Sequence, residues 1–143
     1  MARILAIDYG TKRCGIAVTD MLQMIGNGLT TIHPTELLEF LQKYCGKEKV
    51  ETIVIGQPLQ KDGTASKVED EIRGFIRKLE KALPEQQIER YDERFTSKMA
   101  FQTMIDSGLK KKQRQDKALV DEISATIILN DYLDFVKKQG RMS

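Results

Sequence analysis

Three carboxylates of this 143-residue chain stand where a carboxylate can do chemistry. Asp8 closes the apolar run "RILAID", Glu93 lies inside "YDERFTS", and Asp121 lies inside "VDEISA". Each has an ordinary use when taken alone. An acid at a strand end commonly starts a turn. Glu93 would serve the dipole of a helix beginning at Thr96 or Ser97. Asp121 would be a solvated acid in the first turns of a helix. Asp121 is the hardest to read this way. Helical spacing puts it on the side of Ala125 and Ile128, the apolar and sheet-facing side, and an inward carboxylate is costly unless it meets a cation or a metal. Three inward carboxylates repel one another unless a divalent ion joins them. All-oxygen ligands select Mg²⁺ or Mn²⁺ over zinc. Such an ion can activate water, orient a phosphodiester and stabilise the leaving oxygen. That chemistry needs no histidine. The chain has one, His33, expected to be a loop residue before Pro34. Cys14 and Cys45 make neither a disulfide framework nor a zinc spacing.

The elements that must position these acids alternate. "RILAIDYG" predicts a central strand, buried on both faces. A tight turn containing Gly10 leads to an antiparallel strand in "CGIAVTD". "GNGLTTI" predicts a third short strand entered through a Gly-Asn-Gly turn. A helix follows from Pro34, with Leu37, Leu38, Leu41 and Tyr44 in register and Gly46 as its stop. "VETIVIGQP" predicts a dense strand, and residues 65 to 82 a helix broken by Pro84. "QIERYDE" alternates weakly and reads as a strand near an edge. "TSKMAFQTMIDSG" predicts a helix, and "DKALVDEISATIILNDYLDFVKKQG" a long final one. The expected fold is one α/β domain over residues 1–143: a mixed five-stranded sheet, three strands antiparallel and then two parallel, with helices on both faces. Ligands of such sheets bind beyond the carboxyl ends of the parallel strands. Asp8 and Glu93 fall there. Asp20 closes the antiparallel second strand, so it belongs at the far end as a turn acid.

Composition limits the classes. Hydrophobic residues make up 41% and charged residues 31%, with a net charge of +2, an ordinary globular balance. No apolar run approaches the roughly 20 residues of a bilayer span, and "ILAI" is too short for a signal-peptide core. A cytoplasmic protein is expected. Charge is uneven locally: "LKKKQRQDK", residues 109–117, carries five cations against one acid, a solvated loop or a phosphate-binding one.

The blocks "IDYGTKRCGIAVTD", "IVIGQPLQKDGT", "YDERFTS" and "VDEISATIILNDYL" resemble, in order, the signatures of the YqgF family, also called RuvX-like. The family covers pre-16S rRNA nucleases and Holliday junction resolvases of ribonuclease-H-like fold. The resemblance runs from about residue 3 to residue 134. Carried over residue by residue, the family's acidic site falls on Asp8, Glu93 and Asp121. It implies a metal-dependent nuclease of nucleic-acid phosphodiesters, with a role in maturing the 5′ end of small-subunit ribosomal RNA. Departures from the pattern include Gln57, Phe95, Ile123 and Asn130, and none removes a ligand.

Further residues are candidates for substrate contacts. Lys12 and Arg13 follow Asp8 in the turn. Arg94 follows Glu93 but points the other way along a strand. Lys110, Lys111, Lys112 and Arg114 suit a strand-holding loop whose affinity falls steeply with salt. Asp62-Gly63 reads as a turn. Tyr9 and Phe95 are the aromatics near the site that could stack on bases, with core packing the expected role of Phe95. Three rival readings remain: a four-way DNA junction resolvase, a catalytically silent nucleic-acid-binding module, and a phosphate-binding domain of the actin and sugar-kinase type. Retention of all three acids opposes the second, and a length that allows one such domain opposes the third.

Overall fold

The computed structural model describes residues 2–58, 67–92 and 117–138. Eight elements are described: β1 (Arg3–Asp8), β2 (Cys14–Thr19), β3 (Gly26–Ile32), α1 (Pro34–Lys47), β4 (Val50–Gln57), α2 (Glu69–Ala82), β5 (Gln87–Asp92) and α3 (Lys117–Lys138). The helix expected at 96–108, the loop at 59–66 and the basic run through residue 116 lie outside the described residues. The sheet order is β3-β2-β1-β4-β5. β1 pairs antiparallel with β2 and β2 with β3, whereas β4 runs parallel to β1 and β5 parallel to β4. This is the expected mixed sheet, with β1 central and β5 at an edge.

The two-residue period of the strands sorts side chains into two cores. On one face Leu5, Ile7, Ile16, Ile53 and Ile55 pack against Leu37 and Leu41 of α1 and Ile72, Phe75 and Leu79 of α2. On the other, Ile4, Ala6, Ala17 and Val54 pack against Ala125, Ile128, Leu129 and Leu133 of α3. The side chains under α3 are small, so that helix rides close to the sheet. Asp8 shares the parity of Ile4 and Ala6, which assigns it to the α3 face.

Two local expectations are corrected, and a third gains detail. The turn before β3 is not Gly-Asn-Gly, since Gly26–Gly28 already lies within the strand. Asp20 closes the turn instead, accepting the backbone N–H groups of Leu22 (3.1 Å), Met24 (2.9 Å) and Ile25 (3.1 Å). Gly46 does not stop α1, which runs on to Lys47 and ends on an extended Glu48 whose N–H reaches the Tyr44 carbonyl. His33 is a loop residue, as expected. It is the N-cap of α1, and its Nδ1 accepts the Thr35 N–H at 3.2 Å. A ring nitrogen here takes the place of the usual short side-chain oxygen.

α3 is fastened to the antiparallel edge at two points. Asn130 grips the Gly26 backbone in both directions, accepting its N–H at 2.8 Å and donating to its carbonyl at 3.3 Å. Higher up, a Cβ at Gly28 would meet Glu122 Oε1 at 2.4 Å, so that position has no room for a side chain.

Candidate active site

The site grows from one pairing. Asp8 stands opposite Gly15 across the β1–β2 ladder. A Cβ on Gly15 would lie 2.0 Å from the backbone oxygen of Asp121. The missing side chain is therefore what lets α3 descend onto β2 beside Asp8, carrying Asp121 with it. A glycine inside a strand marks such a close approach.

The two carboxylates then meet in half-buried surroundings. The Asp8 carboxyl is pushed up to about 7, first by burial and then by the Asp121 charge. Arg13 answers Asp121, its Nε donating to Oδ2 at 3.0 Å. Arg13, expected at phosphates, thus also holds an acid of the site. Lys12 stands exposed in the same turn. Gly10 makes that turn possible, since a Cβ there would lie 2.5 Å from the Arg13 carbonyl oxygen. Cys14 is buried just below, and burial pushes its thiol up to about 11, which removes it as a nucleophile at neutral pH.

The carboxyl ends of the parallel strands lie level with Asp8. Ile7 pairs with Ile55, Gly56 with Tyr91, and Gln57 with Asp92. β5 ends at Asp92, one residue before Glu93. Glu93 itself lies outside the described residues, as do Arg94, Phe95, Lys110, Lys111, Lys112 and Arg114. Among the described residues no three His, Cys, Asp or Glu side chains gather as a metal site. Asp8 and Asp121 fit a divalent ion in kind. They are hard oxygen donors on one face, and the repulsion from Asp121, which adds to burial in raising the Asp8 carboxyl, is one that such an ion would relieve.

Tyr9 does not serve as a stacking aromatic. It lies on the opposite face from Asp8, its ring 5.7 Å from that of Phe75 in the α1/α2 core. Burial, then a hydrogen bond to Glu71, raises its phenol above the usual range.

Sequence reasoning also missed a clamp on β4. Glu69, 1% exposed, accepts Arg90 Nη1 and Nη2 at 2.8 and 2.7 Å and Arg73 Nε at 3.0 Å. Arg90 donates further to the carbonyls of Ile55 (3.2 Å) and Gly56 (3.1 Å) at the carboxyl end of β4. The Arg90 hydrogen bonds are the main cause holding the Glu69 carboxyl below its ordinary value. Breaking a buried pair of this kind typically costs about 3–5 kcal/mol. A charged residue in a weakly alternating strand was the only signal for it. The partner depends on where the crossover sets α2.

The mixed sheet, in the order β3-β2-β1-β4-β5 with helices on both faces, is a ribonuclease-H-like fold. The likeness extends over whole chains. Thermus thermophilus RuvC, solved in complex with a Holliday junction substrate, superposes with a TM-score of 0.57 over 99% of this chain and 98% of that one, at 14% identity. The chain belongs to the RuvX family, described as Holliday junction resolvase, whose model matches residues 2–135. Relatives in Flavobacterium psychrophilum (63% identical, covering 93% of this chain and 97% of the relative) and Christiangramia forsetii (60%, covering 93% and 98%) both carry the name "Putative pre-16S rRNA nuclease".

Proposed function

We propose that this chain, acting as one nuclease domain over residues 1–143, hydrolyses phosphodiester bonds of precursor 16S ribosomal RNA at its 5′ end. The Asp8–Asp121 pair carries the reading: two carboxylates forced together at the sheet's carboxyl edge, at a cost in electrostatic energy that a purely structural pair would not need. The names of the relatives supply the substrate.

Asp8 and Asp121, with Glu93 as the third acid, are proposed to hold Mg²⁺ or Mn²⁺. Such an ion supplies polarisation of water and of the scissile phosphate, and relief of charge on the leaving oxygen. The chain's own residues do the positioning. Arg13 fixes the Asp121 carboxylate, and Gly15 sets the height of α3. Lys12, Arg94, Lys110, Lys111, Lys112 and Arg114 are assigned to backbone phosphates, where their charge speeds encounter and makes binding salt-dependent. Work on ribosomal precursors, alone or on ribosomal particles, would suit a cytoplasmic protein. No described helix is long and apolar enough to cross a membrane.

The family description favours one second reading, cleavage of a four-way DNA junction. A cleavage assay with Mg²⁺ or Mn²⁺ on precursor ribosomal RNA and on a synthetic four-way junction separates the two. The account expects RNA cleavage at the 5′ leader. Cleavage of the junction alone establishes the second reading, and binding without cleavage of either refutes both.

A further inference from the structure

The outer face of α2 works against the helix's own stability. Gly74 lies inside the helix, where glycine is less favourable than alanine. A Cβ at Gly10, Gly15, Gly26 or Gly28 would lie 2.0–2.6 Å from another atom of the chain, so each of those glycines answers a close approach. A Cβ at Gly74 would come only within 3.8 Å of the Arg77 guanidinium, an ordinary contact. Arg77, Lys78 and Lys81 follow at the i+3, i+4 and i+7 positions that share one side of a helix. With Glu80 and Gly74 they line an open groove of about 590 Å³, three cations against one acid. Cations elsewhere are paired: Arg13 with Asp121, Lys43 with Glu39, Arg73 and Arg90 with Glu69. Arg77, Lys78 and Lys81 form no ion pair among the described residues. Arg73, Arg77 and Lys81 also stand at successive i,i+4 intervals, where like charges destabilise a helix. The macrodipole accounts for Lys81, in the last turn, and not for Arg77 or Lys78. Two local rules are broken at one spot with no gain inside the chain, the mark of a surface kept for something outside it.

We infer that this groove is a second nucleic-acid contact, which takes the phosphate backbone of a base-paired RNA stem. The choice of RNA rests on the function proposed above. Gly74 leaves room for a backbone to approach the helix, and the three cations supply charge to its phosphates. No aromatic ring lines the groove, so it offers no platform for unstacked bases. A stem, with its bases stacked inside and its phosphates outside, suits it better than a single strand. The groove is also remote from Asp8. Glu69, at the amino end of α2, meets Arg90 at the carboxyl end of β4, whereas Gln86, beyond the helix, donates to the Val50 carbonyl at the start of β4 at 3.2 Å. The Arg77–Lys81 half of α2 therefore lies toward the amino ends of the parallel strands, on the face opposite α3. A stem held there extends the footprint on a large RNA without touching the bond that is cut.

Anisotropy of a fluorescent RNA hairpin stem, titrated with the full chain in EDTA over a salt series, tests this apart from cleavage. Arg77→Gln, Lys78→Gln and Lys81→Gln combined should weaken binding at least about tenfold at low salt. The slope of log affinity against log salt should flatten by about 1 for each cation removed. Lys43→Gln, which removes a cation already paired on α1, should change neither. Gly74→Gln should raise the melting temperature, since it replaces a helix-interior glycine, and still weaken the stem, because its side chain fills the groove. An unaltered affinity and salt slope in the triple variant overturns the inference and leaves the proposed cleavage standing. Loss of binding to anionic phospholipid vesicles alone also overturns it, and assigns the groove to a membrane surface. A chain that cleaves no RNA but shows the expected shifts loses the cleavage reading and keeps the contact.

Discussion

Two aspartates bracket one β-hairpin strand, and the fold treats them in opposite ways. Asp20 stands at the solvent end with three backbone N–H donors, which hold its carboxyl below the ordinary value, the Ile25 bond foremost. Asp8, across the ladder at the other end, is half-buried and faces another acid, and its carboxyl is driven up to about 7. Residue type is shared, so the difference lies in what surrounds each group. A structural aspartate is given donors. Asp8, proposed to hold an ion, is given a rival carboxylate instead. The comparison separates a turn acid from a candidate ligand without reference to any relative.

The contrast can be broken most sharply in catalysis. If both hold the ion as proposed, Asp8→Asn and Asp121→Asn should each lower metal-dependent cleavage by about a thousandfold or more. Asp20→Ala should leave the rate unchanged in the same assay. Full cleavage by well-purified Asp8→Asn protein would remove Asp8 from the site.

Next in size is the spacing of α3. Gly15→Ala sets a methyl group against the Asp121 backbone, and the cost should reach about 2–4 kcal/mol by denaturant unfolding. Cleavage should fall with it, because Asp121 is displaced. An alanine variant of ordinary stability and rate would show that α3 does not depend on this contact.

Stability against pH comes third, and the two aspartates should give opposite signs. Folded Asp8 keeps its proton to about pH 7, whereas an unfolded aspartate releases it near pH 4. The metal-free protein should therefore lose stability as pH rises between these values. Asp8→Asn removes that loss and should stabilise the metal-free chain at pH 8 by about 1–3 kcal/mol. Added Mg²⁺ should stabilise the unaltered protein and not the variant.

The smallest effect belongs to Asp20. Its stabilisation is present above the ordinary carboxylate pKa and is lost as pH falls through the lowered value. Asp20→Ala should lower the melting temperature slightly at neutral pH and make no difference in strong acid.

Much of this was legible in the chain because it rests on local periodicity. The dense apolar run in "RILAID" put Asp8 at the carboxyl end of a central strand, helical spacing turned Asp121 toward the sheet, and the short hairpin sent Asp20 to the other end. Contacts between distant segments were not legible. Gly15 looks like any strand glycine until α3 lies over it. Arg90 finds Glu69 only after the crossover sets α2. Tyr9 is one residue from Asp8, and that single step turns it to the opposite core. The capping role of the loop residue His33 was not legible for a different reason: an imidazole cap follows no composition rule. Glu93 rests on its place at the end of a strand and on the family resemblance, and the basic run on its charge.

The most direct test of the central claim is the titration of the Asp8 carboxyl itself, followed by carboxyl-carbon NMR with and without Mg²⁺. The account predicts a midpoint near 7 in the metal-free protein and a marked fall when Mg²⁺ is added. An ordinary carboxylate midpoint that Mg²⁺ does not move would contradict it.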